Sequence, residues 1–217
     1  MWNERTGRRH ELNVMVQNEG AIDQMREHLV LSAKHWKADW ILWLDTDMTF
    51  PPDILARMLK RLEEDNTLEA VTGLYTWKKP PFMPHVYSRL NKKSGKFAMA
   101  GSFPLKEPFI VEGAGYGCLF IKATMYPDNM RPWFVMERSD TEILYGEDLY
   151  FFKKFHPIKM ICDPMISCLH FIENAFDINS YIQYNNIKIE NDSMVVTDEQ
   201  LQSISDKHVG NVKRLPV

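Results

Sequence analysis

The chain has 217 residues, 45% of them hydrophobic, which fits one compact domain with a sizeable core. A formal net charge of -3 excludes a general electrostatic attraction to nucleic acid, so we expect no nucleic-acid partner. No segment has the apolar length of a secretory signal or a membrane span, and three cysteines are few and odd in number, so we predict a cytoplasmic protein with reduced thiols.

The first half alternates predicted helices and strands. Apolar residues at three- and four-residue steps predict an amphipathic helix over 22–37. The bulky apolar run 40–44 predicts a buried strand, the segment 51–66 a helix with proline at its start, and the segment 70–77 another strand. This alternation predicts a layered α/β domain with its active groups at the strand ends.

The segment 78–108 changes character, because it contains five prolines and a turn signal at Ser94-Gly95. We predict a loop or hairpin. Arg89 and Lys96 belong to a basic cluster there, which is either a solvated hairpin surface or a contact to phosphate or acceptor.

Glycines 113, 115 and 117 lie between two apolar runs. Cys118 stands where a dinucleotide fingerprint needs its third glycine, and a strand-like run follows where a helix should begin, so that motif is excluded. Two alternatives stay open: a ligand approaches the backbone here, or the strands pack tightly.

In the second half of the chain, titratable residues lie at the ends of the predicted helix and strand. A helix is predicted within the stretch 145–156, with Gly146 before it, Glu147 and Asp148 in its first turn and basic residues in its last, an order that suits the helix dipole. The segment 159–171 predicts a strand that reaches His170. The remainder predicts a helix or two followed by a loose tail.

Asp45 and Asp47 follow the strand 40–44 directly. Paired carboxylate oxygens suit a hard divalent cation such as Mg²⁺ or Mn²⁺. The alternative is a solvated turn in which Asp53 caps the next helix. A histidine such as His170, taken alone, is more often a hydrogen-bonded core histidine than a ligand.

Taken in order, five motifs resemble the GT-A glycosyltransferases, particularly family-2-like and phage-encoded members. They are DWILWLDTDMTFPPD, EGAGYGCLFIK, PWF, GEDLYFFKK and CLHF. The resemblance covers about residues 22–171. It implies a Rossmann-like GT-A fold with a mostly parallel central sheet flanked by helices.

The resemblance also implies an activity and roles for particular residues. It implies a nucleotide-sugar-dependent transferase, UDP-sugar favoured, acting on a glycan or other hydroxyl acceptor. Asp45 and Asp47 match the DxD motif that holds Mn²⁺ or Mg²⁺ on the donor diphosphate, and His170 matches the histidine that often completes the metal shell. Glu147 and Asp148 match the acidic motif at the acceptor site, so Asp148 is expected to be the general base of an inverting reaction and Glu147 to orient a substrate. Gly115 is expected to lie against the donor.

The chain departs from the family at its beginning, where the DxD motif comes early. We therefore expect an N-terminally truncated GT-A fold, in which LNVMVQNE provides one remnant strand and Arg26 contacts the donor diphosphate. The predicted organisation is one catalytic domain over 1–171, with 78–108 as its acceptor-side loop or hairpin. A C-terminal helical extension and tail then occupy 172–217.

Three alternatives stay open. The reaction could be retaining, since the WLDTD strand is similar to that of retaining transferases of the same fold. DTDMT also fits the DxDxT signature of dehalogenase-like phosphatases, with Asp45 as nucleophile and Asp47 as general acid. A protein of this fold could also bind a sugar nucleotide or glycan without catalysis.

Overall fold

The computed structural model describes residues 2–3, 8–9, 11–138, 143–171, 175–176, 178–197 and 199–204. The predicted tail after residue 204 lies outside this range. None of the described helices is long and apolar enough to cross a membrane.

The described chain alternates short strands with four α-helices. The helices are α1 Ile22–His35, α2 Ile54–Glu64, α3 Glu147–Lys154 and α4 Ile178–Asn185, with a further helical stretch over 199–204. Two 3₁₀ turns cover Ala123–Met125 and Asp128–Met130. The strands are β1 Trp2–Asn3, β2 Arg8–Arg9, β3 Trp40–Leu44, β4 Met48–Thr49, β5 Ala70–Leu74, β6 Val86–Asn91, β7 Lys96–Met99, β8 Phe103–Pro104, β9 Phe109–Val111, β10 Gly113–Ala114, β11 Cys118–Lys122, β12 Glu137–Arg138, β13 Ile143–Tyr145, β14 Met160–Ser167, β15 Leu169–Phe171, β16 Ala175–Phe176, β17 Lys188–Glu190 and β18 Ser193–Val195.

The central sheet has five strands in the order β3-β11-β5-β14-β9. Within the described chain, β5 and β14 form its one parallel pair, and the other three pairs are antiparallel. The prediction of a mostly parallel sheet is therefore wrong, and the sheet is mixed. The reason is β11, which inserts between β3 and β5 and pairs with both in the opposite direction.

Side chains of the central strands alternate between two apolar cores, one on each face of the sheet. In β11, Leu119 and Ile121 enter a large core that also contains Val30 of α1 and Phe151 of α3. Their neighbours Cys118 and Phe120 enter a smaller core together with Ile54 and Met58 of α2. This two-residue period buries both faces and makes a helix–sheet–helix layered fold.

Three strands of the central sheet end at one edge. The strand β11 is antiparallel to both β3 and β5, so β3 and β5 run in the same direction, and β14 is parallel to β5. Their carboxyl ends, followed by residues 45–47, 75–78 and 168–171, therefore meet at the same edge. Residues 115–117 lie there too, because they lead into the start of β11.

The predicted helices and strands of the core are confirmed, with differences at their ends. The prediction that strand 40–44 is buried is wrong, because β3 lies at the edge of the described central sheet and its residues are mostly half-buried, with Leu44 exposed. The strand predicted over 70–77 ends at Leu74. The strand predicted over 159–171 divides at Cys168, and its last part, β15, pairs with β4 and β16 in a separate sheet. The strand predicted for LNVMVQNE is wrong, since residues 12–19 form no helix or strand and are largely exposed. An edge strand needs a partner for its backbone groups, and this segment has none among the described residues.

The segment 78–108 contains a hairpin, as predicted, formed by β6 and β7 around a turn at residues 92–95. The C-terminal part contains α4 and a second hairpin, β17–β18, which the sequence did not indicate. Tyr181 and Met194 from this part are buried in the large core. The predicted domain boundary after residue 171 stays a prediction.

Candidate active site

The two aspartates of the DxD motif lie in the turn after β3, which the backbone holds from two sides. The N–H of Asp45 donates to the carbonyl of Gly117 at 3.0 Å, and the N–H of Phe171 donates to the carbonyl of Asp47 at 2.8 Å. The next strand, β4, places Met48 opposite His170. The side chains of Asp45 and Asp47 are 41% and 44% exposed, so a ligand can reach both carboxylates.

Arg26 of α1 joins the DxD turn to the acidic motif of α3. Its Nε lies 3.3 Å from Oε1 of Glu147, and its Nη2 lies 3.8 Å from Oδ1 of Asp45. The Arg26 side chain is only 7% exposed. One buried guanidinium therefore brings together carboxylates that are 102 positions apart in the chain.

Aromatic rings complete the surroundings of this guanidinium. Its central carbon lies 4.6 Å from the ring centre of Tyr116 and 5.9 Å from that of Trp43, distances at which a cation is attracted to the ring face. Nη1 of Arg26 is buried and has no hydrogen-bond partner among the described residues. The predicted contact of Arg26 with a diphosphate stays a prediction, because in this structure carboxylates and rings surround it.

The acidic motif begins α3. Glu147 is buried, and Asp148 is partly buried, with its Oδ1 accepting from the N–H of Leu149 at 2.7 Å. Burial raises the pKa of Asp148 to about 6; repulsion from Glu147 adds to the shift and Arg26 opposes it. A carboxylate with a pKa near 6 is well matched to act as a base near neutral pH.

Gly146 leaves the space that the side chain of Asp148 occupies. A Cβ at residue 146 would lie 2.8 Å from Oδ1 of Asp148, closer than real Cβ atoms approach another atom. The glycine therefore lets the Asp148 carboxylate fold back over the first turn of α3.

His170 lies at the end of the parallel pair, within the same edge of the sheet. Its Nδ1 is 2.5 Å from the carbonyl of Thr76, and its ring meets the ring of Tyr75 edge to face at 5.3 Å. Burial lowers the pKa of His170, while the contact with Thr76 opposes this shift. The imidazole is thus neutral near pH 7, and the Thr76 carbonyl fixes its orientation.

Lys78 is a site residue that the sequence did not indicate. Its ammonium contacts Oδ2 of Asp47, and it follows β5 at the same edge of the sheet. Lys78 lies within the predicted acceptor-side segment, but its contact is with the second aspartate of the DxD motif. It supplies the positive charge beside Asp47 in this structure.

A divalent cation fits the carboxylates of this turn in part. Asp45 and Asp47 are exposed oxygen donors of the kind that Mn²⁺ and Mg²⁺ prefer. Among the described residues, however, no three His, Cys, Asp or Glu side chains are grouped closely enough to hold a metal ion. Such an ion would bind the two aspartates in place of Lys78 and take its remaining ligands from a substrate or water, and His170 as a third ligand stays a prediction.

Side-chain packing accounts for the glycines of the segment 113–117. A Cβ at Gly115 would lie 2.1 Å from the Tyr75 hydroxyl and 2.5 Å from Nδ1 of His85. A Cβ at Gly113 would meet the ring of Phe97 at 2.8 Å. Of the two alternatives, the structure therefore shows tight packing, and a donor contact at Gly115 stays a prediction.

Asp53 does not cap α2 through its side chain. It occupies the N-cap position without a side-chain capping hydrogen bond, and its carboxylate instead pairs with Arg57 at 2.8 Å. A capping role for Asp53 therefore does not explain the acidic turn.

Comparison with known proteins identifies the fold that carries this site. Residues 28–116 match the family model described as Glycosyl transferase family 2. The crystal structure of A197 from STIV is similar, with a TM-score of 0.58 and 19% identity over 85% of this chain and 81% of that chain. The chain has a family-2-like GT-A fold. A search of curated proteins gave no match.

The family match supports a role in glycosyl transfer. It covers only some of the residues of the candidate site, and the others are placed there by the structure alone. The matched segment contains the DxD turn and the hairpin β6–β7. Arg26 precedes it, and the acidic motif of α3 and His170 follow it. The GT-A fold also leaves the phosphatase alternative without support.

Some residues of this site carry weak signals in the sequence. Lys78 follows the predicted strand 70–77, and because active groups lie at the strand ends of such folds, a basic residue there could have been expected. Tyr75 and Tyr116 had no signal, because their roles depend on neighbours from other strands. The N–H of Gly117 donates to the Tyr75 hydroxyl at 2.9 Å, a contact that only the folded chain creates.

Proposed function

We propose that the protein is a metal-dependent glycosyltransferase that moves a sugar from a nucleotide diphosphate, UDP favoured, to a hydroxyl group of a glycan or other acceptor. The observation that carries the proposal is the convergence at Arg26. One buried cation links Asp45 of the DxD turn to Glu147 of the acidic motif, so a donor held at the first lies close to a base in the second.

In this proposal Asp148 removes the proton from the acceptor hydroxyl. The hydroxyl oxygen then forms a bond to the anomeric carbon as the bond from that carbon to the diphosphate oxygen breaks, with inversion of configuration. The raised pKa of Asp148 favours this role, because its conjugate base accepts a proton more readily than an ordinary carboxylate does. Glu147, fixed by Arg26, orients a substrate beside it.

Asp45 and Asp47 would hold Mn²⁺ or Mg²⁺, which when bound stabilises the negative charge that develops on the leaving diphosphate. Once the Lys78 ammonium no longer pairs with Asp47, it is available to contact a phosphate oxygen of the donor. Its position beside the aspartates supports this second role.

A thermal-shift panel tests donor binding. UDP, GDP, CDP and dTDP sugars are added with and without Mn²⁺, and a ligand that binds only the folded chain raises the melting temperature. We expect a metal-dependent shift with one nucleotide class, UDP first, which Asp47→Asn abolishes. The control Asp53→Asn, which removes a nearby exposed carboxylate paired with Arg57, should keep the shift. No shift at millimolar ligand would contradict the proposal.

Turnover separates catalysis from binding alone. With donor and an acceptor panel, release of the nucleoside diphosphate should fall by about two to four orders of magnitude in Asp148→Asn, while the donor-induced thermal shift remains. A rate near that of the wild type would point to retention or another base, and the anomeric configuration of the product decides between these. Donor binding without any consumption would instead support a non-catalytic binding protein.

A further inference from the structure

A cavity of about 400 Å³ lies beside the acidic motif, between the hairpin β6–β7 and the strands β12 and β13. Three aromatic rings and three charged side chains line much of it. They are Tyr87, Phe97, Tyr145, Lys96, Glu137 and Lys153. Its volume lies within the range of small-ligand sites, and its walls are apolar with a few polar groups, which is the usual composition of such sites.

The cavity adjoins the proposed base. Leu149, the residue after Asp148, lines it, and so does the buried side chain of Tyr87. Oδ1 of Asp148 accepts a hydrogen bond from the N–H of Leu149 at 2.7 Å, so the carboxylate lies beside a residue of the cavity wall. An acceptor bound in this cavity would therefore have hydroxyl groups close to Asp148.

The walls of the cavity are tied together. The hydroxyl of Tyr145 donates to the carbonyl of Gly95 at 2.5 Å, which connects β13 to the tip of the hairpin β6–β7. The ring of Phe97 packs on Gly113. The ammonium of Lys153 lies 4.5 Å from the ring centre of Tyr145. These contacts preform the aromatic surface.

Among the described residues that line the cavity, the charges leave one cation in excess. Lys153 pairs with Glu137 at 3.0 Å, which neutralises both. Lys96, also in the wall, has no ion-pair partner among the described residues. A cavity with apolar rings and one extra ammonium matches a ligand with an apolar face and a single negative group.

We propose that this cavity is the acceptor site and that the acceptor is an anionic sugar, a uronate or a sugar phosphate. The C–H face of the sugar ring packs on the aromatic wall, and its anionic group pairs with Lys96. This inference rests on the proposed function for the role of Asp148, but the binding itself does not require donor or turnover.

The test measures binding without donor. The probes are 4-nitrophenyl β-glucuronide and 4-nitrophenyl β-glucoside, which differ only in a carboxylate and a hydroxymethyl group, and affinity is measured by titration followed by NMR. We expect the wild type to prefer the glucuronide by about threefold to fivefold, the contribution of a solvent-accessible ion pair. A parallel pair, glucose 6-phosphate and glucose, distinguishes a phosphate from a carboxylate.

Variants of two lysines identify the source of the preference. Lys96→Gln should remove the preference while leaving the affinity for the glucoside unchanged. Lys93→Gln alters a lysine in the turn just before β7, outside the cavity wall, and should keep the preference. Equal affinities in the wild type, an equal loss in both variants, or no binding of any probe at millimolar concentration would overturn the inference. Probe binding without donor binding in the thermal-shift panel would instead overturn the proposed function alone.

Discussion

Replacing Arg26 with methionine removes the buried cation that joins the two acidic motifs. The side chains of Arg26 and Glu147 are 7% and 10% exposed, and Nε and Oε1 are 3.3 Å apart. Removal of one partner from a buried ion pair leaves an uncompensated charge and costs about 3–5 kcal/mol. Asp45 adds less than about 1 kcal/mol, because it is 3.8 Å from Arg26 and 41% exposed. We expect the free energy of unfolding to fall by about 3 kcal/mol.

Urea denaturation followed by tryptophan fluorescence measures this change through linear extrapolation. The control is Arg57→Met, which breaks an ion pair with Asp53 whose side chains are 39% and 56% exposed, and which should cost less than about 1 kcal/mol. In a double-mutant cycle, Glu147→Gln should recover at least about 1 kcal/mol of the loss caused by Arg26→Met. A loss below about 1 kcal/mol in Arg26→Met, or strictly additive losses in the cycle, would refute the role of the buried pair.

Three further predictions follow from particular contacts. Gly146→Ala should lower turnover about tenfold and leave the donor-induced thermal shift unchanged. The new Cβ would lie 2.8 Å from Oδ1 of Asp148 and would therefore displace that carboxylate. Unchanged turnover would contradict this prediction. In a pH–rate profile, the turnover of the wild type should rise about tenfold per pH unit below pH 6 and level off above it. The reason is that the base, Asp148, must be unprotonated and its pKa is about 6. Asp148→Asn should lack this rise below pH 6. Gly73→Ala should lower the free energy of unfolding by about 2 kcal/mol in urea denaturation, because the new Cβ would lie 2.8 Å from the rigid backbone carbonyl of Ile166. In the control Gly101→Ala, the new Cβ meets only the flexible end of the Leu201 side chain, so the loss of stability should be smaller.

The helices and strands of the core could be predicted because they depend on the pattern of apolar and charged residues along a short segment, and that pattern is visible in the sequence. The amphipathic period of α1, the apolar run of β3 and the charge order of α3 are set by neighbouring residues, and all three elements form where predicted. The carboxylates at the end of β3 and the start of α3 could likewise be named as site candidates, because their positions relative to local elements are visible in the chain.

What only the tertiary structure decided depends on partners that are distant in sequence. The central sheet is mixed because β11 inserts between β3 and β5 in the opposite direction. The local sequence of β11 does not show which strands it pairs with. The contact of Lys78 with Asp47 and the packing of Tyr75 on Gly115 likewise require separate strands to meet. The sequence alone identified the carboxylates and the histidine that could do chemistry. Folding determined that Arg26 joins two of the acidic groups, because a buried guanidinium needs carboxylates that only the assembled sheet and helices bring within reach.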